Sequence, residues 1–247
     1  MDDKVRYQEL KAKLKNDGCN ADLDLRNTKG FIFPKEYCQI VIEYLGTFKE
    51  CRYNTIIVHL LARSKDHHMI PVLLNEFYNA PMSLPYDEYR WYICDGLYVI
   101  GYDDKYFDDY MKIAGNVQYG RSRAMVIRLL GRSKRIEALE LLLDQMHNWD
   151  HDVMLDTLSA LNLFKIVPER VYAEVRKFAD LLISEKGREK IIKDMHERYA
   201  EKYKDYSKIE IKRDIQEMYT LIINYVNKIL KRRNDEIPKD LRKIFPK

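Results

Sequence analysis

Glycine and proline are scarce in this chain, with 9 and 7 copies among 247 residues. β-Sandwiches and β-barrels need many tight turns, which these two residues usually form. Their scarcity therefore argues against an all-β fold and favours long helices. A long apolar run is also missing, because the most apolar late stretch, MYTLIINYVNKIL, contains Asn224 and Asn227. That stretch is too short and too polar to span a membrane, so we expect no membrane association.

Paired cysteines are missing as well. None of the four cysteines forms a C-x-x-C pair, which excludes a zinc ribbon and a dithiol redox motif. Sparse thiols of this kind fit a reducing compartment. The first ten residues, MDDKVRYQEL, hold no apolar run, so no signal peptide is visible. We therefore expect a cytoplasmic protein.

Readable catalytic motifs are absent too. The sequence contains no G-x-S-x-G, no P-loop, no G-x-G-x-x-G and no H-E-x-x-H. His147 and His151 lie four residues apart beside Asp150 and Asp152, a spacing that binds metal only on a helix. The repeat described below places them in a turn between helices. We expect no catalytic residues, no metal and no cofactor, and hence a non-enzymatic protein.

Charge is unevenly distributed along the chain. Up to Ser184 there are 25 Lys and Arg residues against 27 Asp and Glu, whereas from Glu185 onward there are 18 against 12. A basic C-terminal part is typical of a solvated helical surface, and it would also suit a phosphate backbone or an acidic partner.

One phrase occurs twice in the sequence. LLARSK occupies residues 60–65 and LLGRSK occupies residues 129–134, and both continue into an apolar stretch. Each copy predicts a helix that ends at Leu-Leu and a small residue, then a polar turn and a second helix. The small residue permits a close or left-handed helix end, and the turn leaves cations at the helix C-terminus, where the helix dipole favours them.

Two more divergent copies follow the same plan. The small-residue positions are Ala62, Gly101, Gly131 and Asn162, which are 39, 30 and 31 residues apart. Helix pairs at such a period stack into an α-solenoid, because one pair cannot bury its apolar face alone. We predict an N-terminal helical cap over 1–50, about four helix pairs over 51–184, and a basic helical extension over 185–247 that packs on the last repeat.

The two ends of the chain predict further helices. In the cap, helices are expected near 4–14 and 35–48. In the extension, a helix is expected over about 207–233, with an apolar seam spaced 4, 3, 4, 3 and 4 residues apart. This seam either packs on the last repeat or joins two copies into a dimer. Its members are Ile211, Ile215, Met218, Ile222, Tyr225 and Ile229.

The repeated stretch resembles a known family. The pattern R-x-x-I-x-x-L-(G/A), followed by IPVLLNEF or ALELLLDQM, resembles the short HEAT-like repeats of bacterial scaffold proteins, in particular uncharacterised bacterial HEAT-repeat domain proteins. The resemblance covers roughly 51–178 and implies an all-α fold, an armadillo-like α-α superhelix with helical caps. Arg123 matches the arginine that often opens such a unit, whereas Asn54, Ile93 and Met154 replace it in the other three.

The resemblance also implies where a partner would bind. In HEAT-like arrays the first helices of the pairs line a concave face. Counting back from the small-residue positions gives the candidate partner-binding residues, which mix the cations and aromatics typical of protein interfaces with acids. They are Arg52, His59, Trp91, Asp95, Tyr98, Arg121, Met125, Arg128, Asp152 and Asp156.

Two functions remain open from the sequence. We expect a scaffold that binds a protein partner along its concave face, as a monomer or as a dimer through the C-terminal helix. The alternative is nucleic-acid binding, as in HEAT-like alkylpurine DNA glycosylases, for which the arginines would supply cations. The acidic balance of the repeat region argues against the alternative, because phosphate binders usually present a basic surface.

The repeat also makes a prediction about stability. Leu129 belongs to the duplicated phrase and should lie in the core, so Leu129→Ala should lower the free energy of unfolding by about 2–5 kcal/mol. Urea denaturation followed by circular dichroism measures this difference. A loss below about 0.5 kcal/mol, the size typical of surface positions, would contradict the core assignment.

Overall fold

The computed structural model describes residues 2–20, 31–82, 86–148, 150–164, 169–202 and 207–235. Over these ranges the chain is helical and contains no β-strand, which confirms the all-α prediction. The helices are α1 (Asp3–Asn16), α2 (Cys38–Ile42), α3 (Cys51–Arg63), α4 (Met69–Asn79), α5 (Tyr86–Ile100), α6 (Phe107–Gly115), α7 (Ala124–Leu130), α8 (Ile136–Gln145), α9 (His151–Leu161), α10 (Glu169–Ile183), α11 (Glu185–Lys202) and α12 (Lys208–Leu230).

The predicted units each contain two helices. They correspond to α3 with α4, α5 with α6, α7 with α8, and α9 with α10. No described helix combines the length and the apolar character that crossing a membrane requires. The relation of the chain to HEAT-like repeats stays a prediction.

Backbone contacts divide the chain into two compact units, Met1–Leu129 and Leu130–Lys247. In the first unit, α5 packs on both α3 and α4, and the 3₁₀ segment Val117–Arg123 packs on α5. Leu129 is fully buried. The predicted division of the chain at residues 50 and 184 stays a prediction.

The second unit is built around α12, which packs on α9, α10 and α11. A capping box fixes the start of α12, because Ser207 accepts a hydrogen bond from the Glu210 backbone and the Glu210 side chain accepts one from the Ser207 backbone. Four members of the predicted seam are buried, and Met218 and Tyr225 are half-buried. The seam is therefore covered by helices of the same chain, and dimerisation through it stays a prediction.

The duplicated phrase forms the same corner twice. Ser64 donates to the Leu61 carbonyl at 2.6 Å and accepts from the backbone N–H two residues later at 3.2 Å. Ser133 makes the corresponding bonds, to the Leu130 carbonyl at 2.7 Å and from the later N–H at 3.2 Å. Each serine thus satisfies a helix-end carbonyl and starts the next turn.

The left-handed residue in both corners is the lysine and not the small residue. Lys65 has φ of 55° and Lys134 has φ of 56°. Gly131 instead permits close packing, since an added Cβ would lie 2.6 Å from the Ala160 Cα. Only Gly101, with φ of 119°, uses its small-residue position for a left-handed backbone. Of the two roles that the sequence left open for the small residue, Gly131 thus permits close packing, and Gly101 adopts a left-handed backbone.

The cap differs from its prediction in one helix. A 3₁₀ turn, Lys35–Tyr37, leads into α2, which ends at Ile42 instead of continuing to residue 48. Turns follow over residues 43–46, and Gly46 adopts φ of 69°. A right-handed helix cannot continue through that conformation, and the next helix, α3, begins at Cys51.

The opening arginine of the second pair is Arg90 and not position 93. Arg123 is buried and donates to the Ala114 carbonyl at the end of α6. Arg90 is equally buried and donates to the Ala80 carbonyl at the end of α4. Each guanidinium thus donates to a carbonyl that the end of a helix leaves without an intrahelical partner, and in both cases that helix is the second one of the preceding pair. Ile93 stands at the position where the repeat spacing expected the opening arginine, and its side chain belongs to the core.

Replacing Gly131 by alanine should destabilise the fold. The added Cβ would meet backbone atoms of Ala160, which cannot move aside as the end of a side chain can. We expect Gly131→Ala to lower the free energy of unfolding by about 1–3 kcal/mol in urea denaturation. Gly115→Ala, at an exposed position in the last turn of α6, is the matched control and should be neutral or slightly stabilising. An equal loss in both variants would contradict the packing explanation.

Candidate functional site

The candidate site lies in the first unit, where α3 and α5 approach each other closely. Gly96 makes this possible, because an added Cβ there would lie 3.1 Å from the Val58 Cγ1 and 3.5 Å from the Ala62 Cβ. The apolar sides of both helices are buried in this contact, including Leu61 and Leu97. The opposite sides of the two helices therefore form neighbouring parts of one surface.

We call this surface the arginine–aromatic face. All its members are half-buried except Arg52, which is exposed. Eight of the ten predicted binding residues belong to it, and Arg63 and Tyr92 were not among the predictions. The face consists of Arg52, His59 and Arg63 from α3, Trp91, Tyr92, Asp95 and Tyr98 from α5, Arg121 from the 3₁₀ segment, and Met125 and Arg128 from α7.

Aromatic contacts connect α3 to α5 on this face. The His59 ring stands edge-on to the Tyr92 ring with centroids 5.3 Å apart. The Trp91 ring stands edge-on to the same tyrosine at 5.2 Å. Such edge-to-face pairs stabilise beyond their burial by about 0.5–1.5 kcal/mol. They hold three rings as a half-buried platform on the surface.

A cation–π contact joins α7 to α5 on this face. The Arg128 guanidinium lies 5.1 Å from the centre of the Tyr98 ring. This contact is favourable because the ring face carries partial negative charge. The contact thus holds the Arg128 side chain against α5.

Asp95 is the carboxylate among these cations. Burial raises its pKa above the usual value, while His59, Arg63 and Arg128 act in the opposite direction. Burial likewise lowers the pKa of His59, although Asp95 opposes that shift. For Asp95, removal from water thus outweighs the attraction of the surrounding cations, whereas for His59 the Arg63 charge acts in the same direction as burial.

A shallow cavity opens at the N-terminal end of the face. It has a volume of about 240 Å³ and is lined by Cys51, Arg52, Thr55, Glu88, Tyr89 and Tyr92. Arg52 forms an ion pair with Glu50 at 2.7 Å and a hydrogen bond to the Tyr53 hydroxyl at 3.1 Å. Burial raises the pKa of the Cys51 thiol, so this sulfur is not activated as a nucleophile.

The two remaining predicted residues, Asp152 and Asp156, lie on α9 in the second unit. Both are half-buried. The backbone N–H of Asp152 donates to Asp150, which caps the start of α9. The other eight predicted residues belong to the first unit, and these two belong to the second.

Local spacing could have identified the two residues that the predictions missed. Arg63 is one helical turn after His59, and Tyr92 is one turn before Asp95, so both share a side with a predicted residue. Arg63 belongs to the duplicated phrase and was interpreted as a turn residue. Tyr92 was passed over because counting back from Gly101 selects its neighbour Trp91.

Metal-binding and thiol chemistry have little support in the described ranges. Over these ranges no three His, Cys, Asp or Glu side chains are grouped closely enough to hold a metal ion. His147 lies in the turn before α9 and packs on the Phe178 ring at 5.7 Å. The four cysteines are free thiols. The arginine–aromatic face therefore remains the candidate site.

Comparison with known protein families, with curated proteins and with solved structures finds no match for this chain.

Asp95→Asn should stabilise the protein at neutral pH, because it removes a half-buried charge whose lost hydration outweighs its attraction to the neighbouring cations. A raised folded-state pKa means that ionised Asp95 disfavours folding above that pKa, and that this effect disappears as pH falls below the unfolded value. We expect the variant to unfold at higher urea concentration than wild type at pH 7, with the difference shrinking as pH approaches the ordinary Asp value of 3.8. Glu9→Gln, at an exposed position on α1, is the control. A lower stability of Asp95→Asn at pH 7 would show that the neighbouring cations dominate instead.

Proposed function

We propose that this protein is a non-enzymatic helical-repeat scaffold that binds a protein partner through the arginine–aromatic face. The four helix pairs stack as an α-solenoid of HEAT-like repeats, and the first helices of the pairs line the binding surface. The proposal is supported by the recurrence of the same serine-closed corner after α3 and after α7. It is also supported by the buried arginines that enter α5 and α7 in the same way.

The observation that carries the binding role is the composition of the face. Trp, Tyr and Arg are the residues most enriched among the energetic centres of protein interfaces. Here one tryptophan, two tyrosines and several arginines lie half-buried on adjacent helices, held by ring contacts. Side chains that are already ordered lose little conformational entropy when a partner binds.

Charge favours a protein partner over a nucleic acid. Residues 1–129 contain 18 Lys and Arg residues and 18 Asp and Glu residues, a balanced set. Nucleic-acid affinity comes chiefly from a surplus of cations against phosphates. The face also contains Asp95, and the exposed Glu88 lies beside Trp91 on α5. Both carboxylates would repel a phosphate backbone.

Site-specific photocrosslinking tests this proposal. A benzophenone amino acid at Met125, on the face, should crosslink one reproducible protein in extracts of the native cell. The same label at Lys112, exposed on α6, is the matched control and should not capture that protein. Trp91→Ala combined with Arg128→Glu should reduce the Met125 crosslink about tenfold or more, because both anchors are lost.

Circular dichroism of the double variant establishes that it is folded. Capture of the same proteins from both labelled positions would contradict the proposal. Persistence of the Met125 crosslink in the folded double variant would also contradict it. Crosslinking of nucleic acid alone would favour the nucleic-acid function instead.

A further inference from the structure

The cavity at the N-terminal end of the arginine–aromatic face has the size of a site for one side chain. Its volume of about 240 Å³ lies below the range of roughly 300–1,000 Å³ that is usual for small-molecule sites. Tyr89 and Tyr92 lie about one helical turn apart on α5, and both line the cavity together with Cys51 and Thr55 of α3. Two packed helices thus form a depression with an aromatic wall.

Three oxygen-bearing groups of the lining have no partner within the described ranges. There, the Glu88 carboxylate and the hydroxyls of Thr55 and Tyr92 form no hydrogen bond and no ion pair. A helical threonine often donates to the carbonyl one turn earlier, as Thr157 does at 2.7 Å, but Thr55 does not. The Tyr89 hydroxyl, by contrast, is engaged, since it donates to Glu76 at 2.7 Å. The cavity therefore offers three acceptor groups to an incoming donor.

The charge around the cavity is negative. Arg52 is the only cation among the described lining residues, and it is held by an ion pair with Glu50 at 2.7 Å. Its guanidinium also lies 4.7 Å from the centre of the Tyr53 ring. Glu50 and Glu88 thus provide two carboxylates against one guanidinium. The Glu88 charge adds to burial in raising the pKa of the Cys51 thiol, so it acts on another group of the same lining.

From these observations we infer that a lysine of the protein partner enters this cavity, with its ammonium group bound by Glu88, Thr55 and Tyr92 and its methylene stem against the tyrosine rings. An ammonium group has three N–H donors and no acceptor, which matches three acceptor groups. Its stem covers apolar surface while tyrosine rings attract the charge. The planar fork of arginine is better matched to one carboxylate than to separate hydroxyls. The inference rests on the proposed function and names the side chain that holds the partner at this end of the face.

Disulfide exchange at Cys51 tests the charge preference of the cavity with small probes. The full-length protein is equilibrated near neutral pH with aminoethyl, hydroxyethyl and carboxyethyl disulfides, and the Cys51 thiolate displaces half of each probe as a thiol. Mass spectrometry of the Cys51 peptide gives the ratio of the three products. The same thiol in the urea-unfolded chain is the reference. Relative to it, the folded protein should favour the aminoethyl over the hydroxyethyl product about threefold or more, the factor expected for one partly exposed ion pair.

Variants of the lining assign this preference to individual groups. Glu88→Gln should remove most of it, because the only carboxylate that lines the cavity is lost. Thr55→Val keeps the shape of the side chain, removes one acceptor and should reduce the preference about twofold. Glu9→Gln, exposed on α1, removes the same charge far along the chain and should leave the preference unchanged. Circular dichroism establishes that each variant is folded.

The Met125 crosslink connects the cavity to the partner. Glu88→Gln should weaken that crosslink about threefold or more, whereas Glu9→Gln should leave it unchanged. Carbodiimide treatment of the complex captured through Met125 should join Glu88 to a lysine of the partner by an amide bond, with the carbodiimide taking up the water that is released. Mass spectrometry of the digested complex locates this bond.

The results separate the inference from the proposed function. The lysine site is overturned if the hydroxyethyl or carboxyethyl product is favoured, or if Glu88→Gln leaves the aminoethyl preference unchanged. It is also overturned if that preference is present but Glu88→Gln does not weaken the Met125 crosslink, because the cavity would then bind a free amine. A reproducible Met125 crosslink without any amide bond from Glu88 to a partner lysine overturns the site and leaves the proposed function standing. If the Met125 label captures no protein, the proposed function and the inference both fail.

Discussion

The close packing of α3 against α5 is the contact on which the candidate site depends. Gly96 lets the two helices approach, since any larger residue would meet Val58 and Ala62. Helices at this separation hold their outward residues as neighbours, and so His59 contacts Tyr92 and Arg63 acts on Asp95. A wider separation would leave these groups as isolated surface side chains with little combined effect.

Buried arginines connect the successive helix pairs of the first unit. Arg90 and Arg123 each donate to the carbonyl groups that end the preceding second helix, where the helix dipole is negative. A buried cation is tolerated in this position because the carbonyls need a donor and water is excluded. Asn54 acts differently at the entry of α3, where its side chain donates to the carbonyl of Phe48 in the preceding loop at 2.9 Å.

The sequence predicted the elements that depend on local patterns. The duplicated phrase marked two corners of matching geometry, and the seam spacing located α12 to within a few residues of its ends. Arg90 was missed because it lies eleven residues before Gly101, whereas Arg123 lies eight before Gly131, a difference of nearly one helical turn. The early end of α2 depends on the backbone of Gly46, which apolar periodicity does not report.

The electrostatics of the face could not be predicted from the sequence, because they depend on burial and not on residue type. Asp95 beside two arginines would ordinarily have a lowered pKa, yet burial reverses the direction. At Asp95 the lost hydration thus outweighs the attraction of the surrounding cations, a balance that the residue types alone do not report.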